Sequence, residues 1–312
     1  MALPIHIAFC VNDSYVPYIT VAIKSIAENH KDEDLTIHVL SDFISPKHRW
    51  RLDCVAKPYH NVKLSVCIVD DSSLRGLKDT WTIYTWYRVL LPEVLGEDVH
   101  RVLYLDADVI VSGNLGELFQ LDMTDKAIAG TIDFQSKDRA KFQRCGFEQE
   151  KGYVCAGVML MNLDYWRRNG IADKVVRWGR DNNDRIRFPD QDSINYICQD
   201  AKILLPLKYD VIDGFFYDDY YYQHYPQELR ECVEAPVIIH YAGQPPWIVE
   251  MSNNLLQDEW DRYNHLLKRP IRKSYQSKKT QKLKVIIYRL LHTEGKRRLT
   301  RHDVLEKLNN DS

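Results

Sequence analysis

The sequence predicts an α/β fold in which a mainly parallel, mixed sheet is flanked by helices, followed by a basic C-terminal helical extension. Two observations carry this expectation. Through the first 160 residues short β-branched runs alternate with helical patterns, the arrangement of parallel strands joined by crossover helices. Charge then changes abruptly: residues 268 to 301 hold 13 Lys or Arg against one acid, Glu294, whereas residues 1 to 267 hold 28 basic and 40 acidic side chains. The tail is therefore a separate electrostatic object, and the chain divides into a domain of residues 1–267 and an extension of residues 268–312.

In order, the strand-like runs are IHIAFCV, TIHVLSD, VKLSVCIVD, RVLYLDADVIV, AIAGTID, GVMLMNL and PVIIHYAG. Between them lie helical patterns in YITVAIKSIAENH, a helix opening at Ser45-Pro46, and helices near YTWYRVLLPEVL, YWRRNGIADKVVRWGR and DQDSINYICQD. Ser45 is a natural N-cap and Pro46 a natural first helical residue. With 312 residues and 45% hydrophobic side chains there is enough apolar material for a substantial core.

Seven scattered cysteines without a CxxC pair argue against a disulfide framework or a thiolate zinc site, and fit a reducing cytoplasm. The start, MALPIHIAFC, lacks a basic region and a long apolar run, and no stretch reaches the roughly 18 apolar residues of a membrane span. The expectation is a chain neither secreted nor membrane-spanning.

The most informative local feature is Asp106 and Asp108. They follow the apolar run Val102 to Leu105, which has the character of a strand buried on both faces. Residues two apart on an extended segment point to one side, and open α/β sheets place ligands at the carboxyl ends of their strands. Two carboxylates facing one way repel unless a cation lies between them. Capping of a turn is the alternative reading. A divalent ion held there would stabilise a leaving nucleoside diphosphate, and oxygen ligands favour Mg²⁺ or Mn²⁺ over Zn²⁺.

LYLDADVIV, AGVMLMNLDYWR, FPDQDSIN and HYAGQPPW together resemble, in order and approximate spacing, glycosyltransferase family 8, which contains bacterial lipopolysaccharide galactosyl- and glucosyltransferases and glycogenin. The resemblance spans roughly residues 5 to 265. It implies a GT-A fold with a Rossmann-like nucleotide-binding half, a UDP-glucose or UDP-galactose donor, and transfer with retention of configuration. It also implies Mn²⁺, with Mg²⁺ as the alternative, held by Asp106, Asp108 and His240; an imidazole beside two carboxylates favours Mn²⁺.

The same resemblance places Asp190 and Gln191 at the donor sugar as the catalytic pair, and Arg88, Ala107, Cys155, Ala156 and Gly157 around the donor. Cys10, Asn12, Ser14 and Tyr15 fall at the nucleotide loop and Gly243 beside the diphosphate. Each has a plainer alternative: Asp190 as a first-turn acid behind Pro189, Arg88 on the surface of an amphipathic helix, Ala156-Gly157 as close packing, Asn12 and Ser14 as a turn and cap, His240 as a hydrogen-bonded structural residue.

This chain departs from the family at Cys155, where relatives often carry Asn, at Asn12, where they often carry an acid, and at Pro246, near which many have a phosphate-binding lysine. Retention requires a covalent intermediate or a same-face route; Gln191 is a poor nucleophile, which favours the same-face route. A nucleotidyltransferase is an alternative enzyme, but no Gly-rich, Lys-containing triphosphate loop follows the first strand. A non-catalytic binding protein is a further alternative.

GFFYDDYYYQHYP, residues 214–226, reads as an aromatic and acidic loop suited to sugar, or as rings covering the core. In KLKVIIYRLLHTEGKRR apolar residues alternate with cations, as in a helix lying on an anionic membrane; a solvated helix and a nucleic-acid contact are the alternatives. With a glycan or glycolipid acceptor the expected partner is the cytoplasmic face of the inner membrane, and nucleic acid is not expected.

Overall fold

A computed structural model describes residues 4–78, 82–134, 143–275 and 299–310. Among the described residues ten strands form two sheets. The larger has the order β3-β2-β1-β4-β7-β6-β8, built from β1 (Ile5–Cys10), β2 (Leu35–Ser41), β3 (Val62–Ile68), β4 (Arg101–Leu105), β6 (Ile128–Ile132), β7 (Val154–Asn162) and β8 (Lys202–Leu205). Strands β3, β2, β1 and β4 are mutually parallel, and β7 alone runs against its neighbours β4 and β6. The smaller sheet, β5-β10-β9, joins β5 (Val109–Val111), β10 (Ile238–His240) and β9 (Val211–Ile212).

Strand alternation sorts side chains into two cores. Ile5, Ile7 and Phe9 of β1 and Leu103 and Leu105 of β4 enter one, with α1 (Val16–Asn29) and α2 (Pro46–Ala56) over it. Ala8, Cys10, Val102 and Tyr104 enter the other, under Trp86, Trp166 and Ile194. Helices on both faces are what a doubly buried sheet requires. Ser45 caps α2, with its Oγ accepting from the His48 amide at 3.4 Å, and Pro46 follows, as its residue types dictate.

Three local expectations are corrected. The helix expected around residues 84–95 is a 3₁₀ segment, Ile83–Leu90, passing into one short α-turn, Leu91–Val94. Pro92 has no N–H for the carbonyl of Arg88, so a continuous α-helix cannot run through. The helical pattern around residues 165–180 is split into Leu163–Asn169 and Ile171–Asp181 by Gly170, which turns left-handed at φ 58°. Residues 214–226 are not a loop: Asp213–Tyr217 is 3₁₀ and Asp219–His224 helical, and Phe215, Phe216, Tyr221 and Tyr222 are buried in a third apolar cluster. The rings there belong mainly to the core.

That third cluster also receives the C-terminal helix Arg301–Asn310 through Val304 and Leu308. Arg230 Nη2 donates to Asn309 Oδ1 at 2.8 Å and Lys307 lies 3.7 Å from the centre of the Tyr222 ring. The basic amphipathic run of residues 282–298 lies outside the described residues. Among the described residues no helix is long and apolar enough to cross a membrane. Leu308→Ala, which removes a buried anchor, is expected to lower unfolding stability by about 2 kcal/mol; urea denaturation measures it, and an unchanged midpoint would show that this helix does not contribute.

Candidate active site at the seam of two sheets

Strand β4 delivers Asp106 and Asp108 to the carboxyl end of the larger sheet, as its position in the sequence suggested. The pair is not extended, however: Asp106 to Asp108 form a turn that leaves β4 and enters β5 in the smaller sheet. The Asp106 amide donates to Gly157 O at 2.8 Å, and the Asp108 carbonyl accepts from the Tyr241 amide at 2.9 Å. Each aspartate is thus fixed to a different sheet, and the two converge through the turn rather than through strand alternation.

His240 ends β10, paired with Val109 of β5 and Ile212 of β9. Its Nε2 lies 3.9 Å from Asp106 Oδ2 and 3.5 Å from Asp108 Oδ1. Its Nδ1 lies 2.9 Å from Oδ1 of Asp210, a fully buried carboxylate. Asp210 accepting at Nδ1 fixes the ring and leaves Nε2 toward the two aspartates, the arrangement typical of an oriented metal-ligating histidine.

Burial alone would lower the imidazole pKa, but Asp210, together with hydrogen bonds to Asp108 and Asp210, raises it well above the ordinary value. Burial pushes the Asp210 carboxyl up, against the pull of His240.

The donor set fits a divalent cation. Two bonds of roughly 2.1 Å to one ion hold ligand atoms about 3–4 Å apart, and the His240–Asp106 and His240–Asp108 separations lie in that range. A Cβ added at Gly157 would overlap the His240 ring and come within 2.7 Å of Asp106 Oδ2. The glycine is therefore there for the ligand side chains themselves. Oxygen donors with one imidazole suit Mn²⁺ or Mg²⁺.

Arg88 is not on the surface of a helix. It is 3% exposed, with Nη2 3.0 Å from Asp106 Oδ1 and Nε 3.1 Å from Asp190 Oδ2. It also donates to Ala156 O, and its guanidinium lies 4.1 Å from the centre of the Tyr104 ring. Burial opposes its charge, but Asp190, Tyr104 and Asp106 more than offset this and keep it protonated.

Burial likewise raises the Asp106 carboxyl, and here Arg88, His240 and the Tyr104 hydroxyl, 2.6 Å away, win and bring it below its ordinary value. For Asp190 burial wins over Arg88, and its pKa is raised.

Asp190 and Gln191 sit in the first turn of the helix Pro189–Ile197, so the helix-start reading and the site reading hold together. Gln191 Oε1 accepts from the Ala156 amide at 2.9 Å, and its Nε2 donates to Asp133 Oδ2 at 3.1 Å. Cys155 Sγ is 3.8 Å from His240 Nδ1, and burial, with Asp210 adding, pushes the thiol up to about 12. Cys10 is buried beside Arg88 and Asp106, and burial raises its thiol too. Ala107 is the middle residue of the aspartate turn.

Tyr15 stands edge-on to Trp247 at 6.1 Å, and Asp108 adds to the burial that raises its pKa. The remaining expected residues are less closely joined. Asn12 Oδ1 accepts from Ser14 Oγ at 2.7 Å and from the Tyr15 amide at 3.1 Å, a local cap, and no hydrogen bond among the described residues ties either to the carboxylates. Gly243 has φ 71° in the turn after β10, with open space on its Cβ side.

Sequence reading missed Asp133, Asp210 and Tyr104. Asp133 follows β6 as Asp106 follows β4, so the same strand-end pattern pointed to it. Asp210 lies between a 3₁₀ turn and a two-residue strand, where no pattern marks it.

A family model described as glycosyl transferase family 8 matches residues 6–249. The lipopolysaccharide 1,2-glucosyltransferase of Escherichia coli is 26% identical over 250 residues, 78% of this chain and 73% of that protein. The lipopolysaccharide 1,3-galactosyltransferase of Salmonella typhimurium is 28% identical over 257 residues, 78% of this chain and 72% of that one. The galactosyltransferase LgtC, solved with donor and acceptor sugar analogs, superposes with a TM-score of 0.74 at 24% identity, covering 90% of this chain and 100% of that one. This likeness shows a shared GT-A fold.

Asp210→Asn, which withdraws a charged acceptor from His240 Nδ1, is expected to weaken Mn²⁺ binding roughly 10- to 100-fold, read by electron paramagnetic resonance of free Mn²⁺. Gly157→Ala should weaken it further by driving a methyl into the ligands. Unchanged Mn²⁺ affinity in both variants would remove the cation from this site.

Proposed function

The chain belongs to glycosyltransferase family 8, and from that membership we propose that it moves glucose or galactose from a UDP-sugar to a glycan acceptor with retention of configuration. The acceptor class proposed is lipopolysaccharide core or another cell-surface glycan, as the printed activities of the two enterobacterial relatives suggest. The place proposed is the cytoplasmic face of the inner membrane. The observation that carries the reading is the convergence of Asp106, Asp108 and His240 beside the buried Arg88–Asp190 pair and Gln191.

In this proposal Asp106, Asp108 and His240 hold Mn²⁺. Held there, such a cation would supply positive charge that stabilises a leaving diphosphate. The chain's own residues define the sugar side. Arg88 fixes Asp190 and Asp106 relative to one another. Gln191, held at both ends of its amide by the Ala156 amide and Asp133, presents a fixed dipole rather than a nucleophile. Asp190 is itself engaged by Arg88. Neither residue is a free nucleophile, which supports the same-face route through an oxocarbenium-like state over a covalent intermediate.

No arginine or lysine follows the turn of Gly243 before Trp247, so the diphosphate loses a charge-assisted contact there and leans more on the cation. Purified protein with Mn²⁺ should hydrolyse or bind UDP-glucose or UDP-galactose, and the preferred donor should raise the melting temperature only when Mn²⁺ is present. Asp108→Asn should reduce turnover at least about a hundredfold. If no UDP-sugar shifts the melting temperature, or if Asp108→Asn turns over as the native chain does, the proposal is wrong.

A further inference from the structure

Away from the carboxylates, one surface joins exposed apolar side chains to cations that have no acidic partner. On α2, Trp50 is 44% exposed with the half-buried Arg51 beside it. The segment leaving the helix Gln257–His265 brings up Leu266, 51% exposed, and the exposed Lys268 and Arg269. The Arg269 guanidinium lies 4.6 Å from the centre of the Trp50 ring, and Arg51 Nη2 donates to Arg269 O at 2.6 Å. A shallow groove between them is lined by Trp50, Arg51, Lys268 and Arg269.

Among the described residues none of Arg51, Lys268 and Arg269 forms an ion pair, and Arg51 Nε is buried without a hydrogen-bond partner. Burial, and after it Arg269, lowers the Arg51 pKa. Arg51 and Arg269, joined through the Arg269 carbonyl and with no carboxylate paired to either among the described residues, favour an anion at that place. An exposed indole at that place, with Leu266 exposed two residues before Lys268, suits the boundary between headgroups and acyl chains, where an aromatic ring is half buried and cations meet phosphate.

We propose that this patch is a membrane-contact surface of the folded domain, with Trp50 and Leu266 at the headgroup boundary and Arg51, Lys268 and Arg269 against anionic phospholipid. The inference rests on the reading of the basic segment as membrane-directed, but it places a contact in the globular domain itself, where that segment of 13 Lys or Arg begins. Lipid is favoured over nucleic acid because the cations are interleaved with exposed apolar side chains rather than with polar ones. The Ser45 amide that opens α2 donates to Asp13 Oδ1 at 2.7 Å, in the loop after β1, which anchors the start of the helix that carries Trp50.

The test uses the full chain and co-sedimentation with vesicles of phosphatidylglycerol and phosphatidylcholine, against phosphatidylcholine alone. The native chain should bind only the anionic vesicles. The double change Lys268→Gln with Arg269→Gln, confined to exposed side chains, should weaken binding about tenfold or more, and Trp50→Ala should weaken it severalfold, with the melting temperature and UDP-sugar hydrolysis in solution unchanged. A second set, Lys278, Lys279, Lys282 and Lys284 each changed to Gln, probes the tail. If that set abolishes binding while the Trp50 and Lys268/Arg269 variants bind like the native chain, the patch inference fails and the tail reading stands. If the native chain ignores anionic vesicles, both fail. Tighter binding to a duplex oligonucleotide than to vesicles, lost on changing Lys268 and Arg269, reassigns the patch to nucleic acid and overturns the inference.

Discussion

Asp106, Asp108, Asp190 and Asp210 are gathered around one guanidinium and one imidazole, and the rest of the site is arranged to manage that imbalance. When ionised, four carboxylates face one arginine, and with His240 neutral, as a metal-ligating imidazole is, three negative charges remain uncompensated in a largely buried cluster. Arg88 is shared between Asp106 and Asp190, and Asp210 is spent on His240. A divalent cation would offset two of the three. Removing Arg88 would be severe for the same reason: two buried carboxylates would lose their partner, a loss of about 3–5 kcal/mol for a broken buried pair.

The sheet topology serves the same end. Strand β7 is the one strand of the larger sheet that runs against its neighbours, and its register with β4 sets Leu105 opposite Val158. The start of β7, Cys155 to Gly157, therefore lies beside the carboxyl end of β4 rather than at the far edge of the sheet. From there Ala156 offers its carbonyl to Arg88 and its amide to Gln191, and Gly157 accepts from the Asp106 amide. A parallel β7 would put that backbone at the opposite end of the strands. The small residues at 156 and 157 follow, since any Cβ at 157 occupies space that His240 and Asp106 already fill.

Much of this was legible in sequence where chemistry and periodicity coincide. The alternating runs marked six of the seven strands of the larger sheet and missed the short edge strand β8, Lys202–Leu205, and charge at the end of an apolar run located Asp106 and Asp108. The resemblance then gathered Arg88, Asp190, Gln191 and His240. What was not legible depends on three dimensions. Arg88 looked like a surface residue because the 3₁₀ turn that inverts its environment depends on Pro92 and on the packing of Trp86 and Tyr87. Sequence leaves the aromatic run of residues 214–226 open between a sugar-binding loop and a cover for the core, because burial under a third cluster leaves no local mark. Asp210 has no pattern around it, and its role follows only from His240 being one strand away.

The ligand set straddles a seam. Asp106 is anchored to β7 in the larger sheet, whereas Asp108 precedes β5, His240 ends β10 and Asp210 precedes β9 in the smaller one. A cation bound by Asp106, Asp108 and His240 would thus tie the sheets together, and its binding free energy would stabilise their mutual position. Other contacts already brace this seam: Val111 N donates to Ser25 Oγ of α1 at 3.0 Å, and Trp247, in the loop after β10, stacks on Tyr18 of α1 at 3.9 Å. The loop that carries Trp247 is therefore held by aromatic packing. That packing ties the loop after β10, and with it the strand that ends at His240, to α1 of the larger unit.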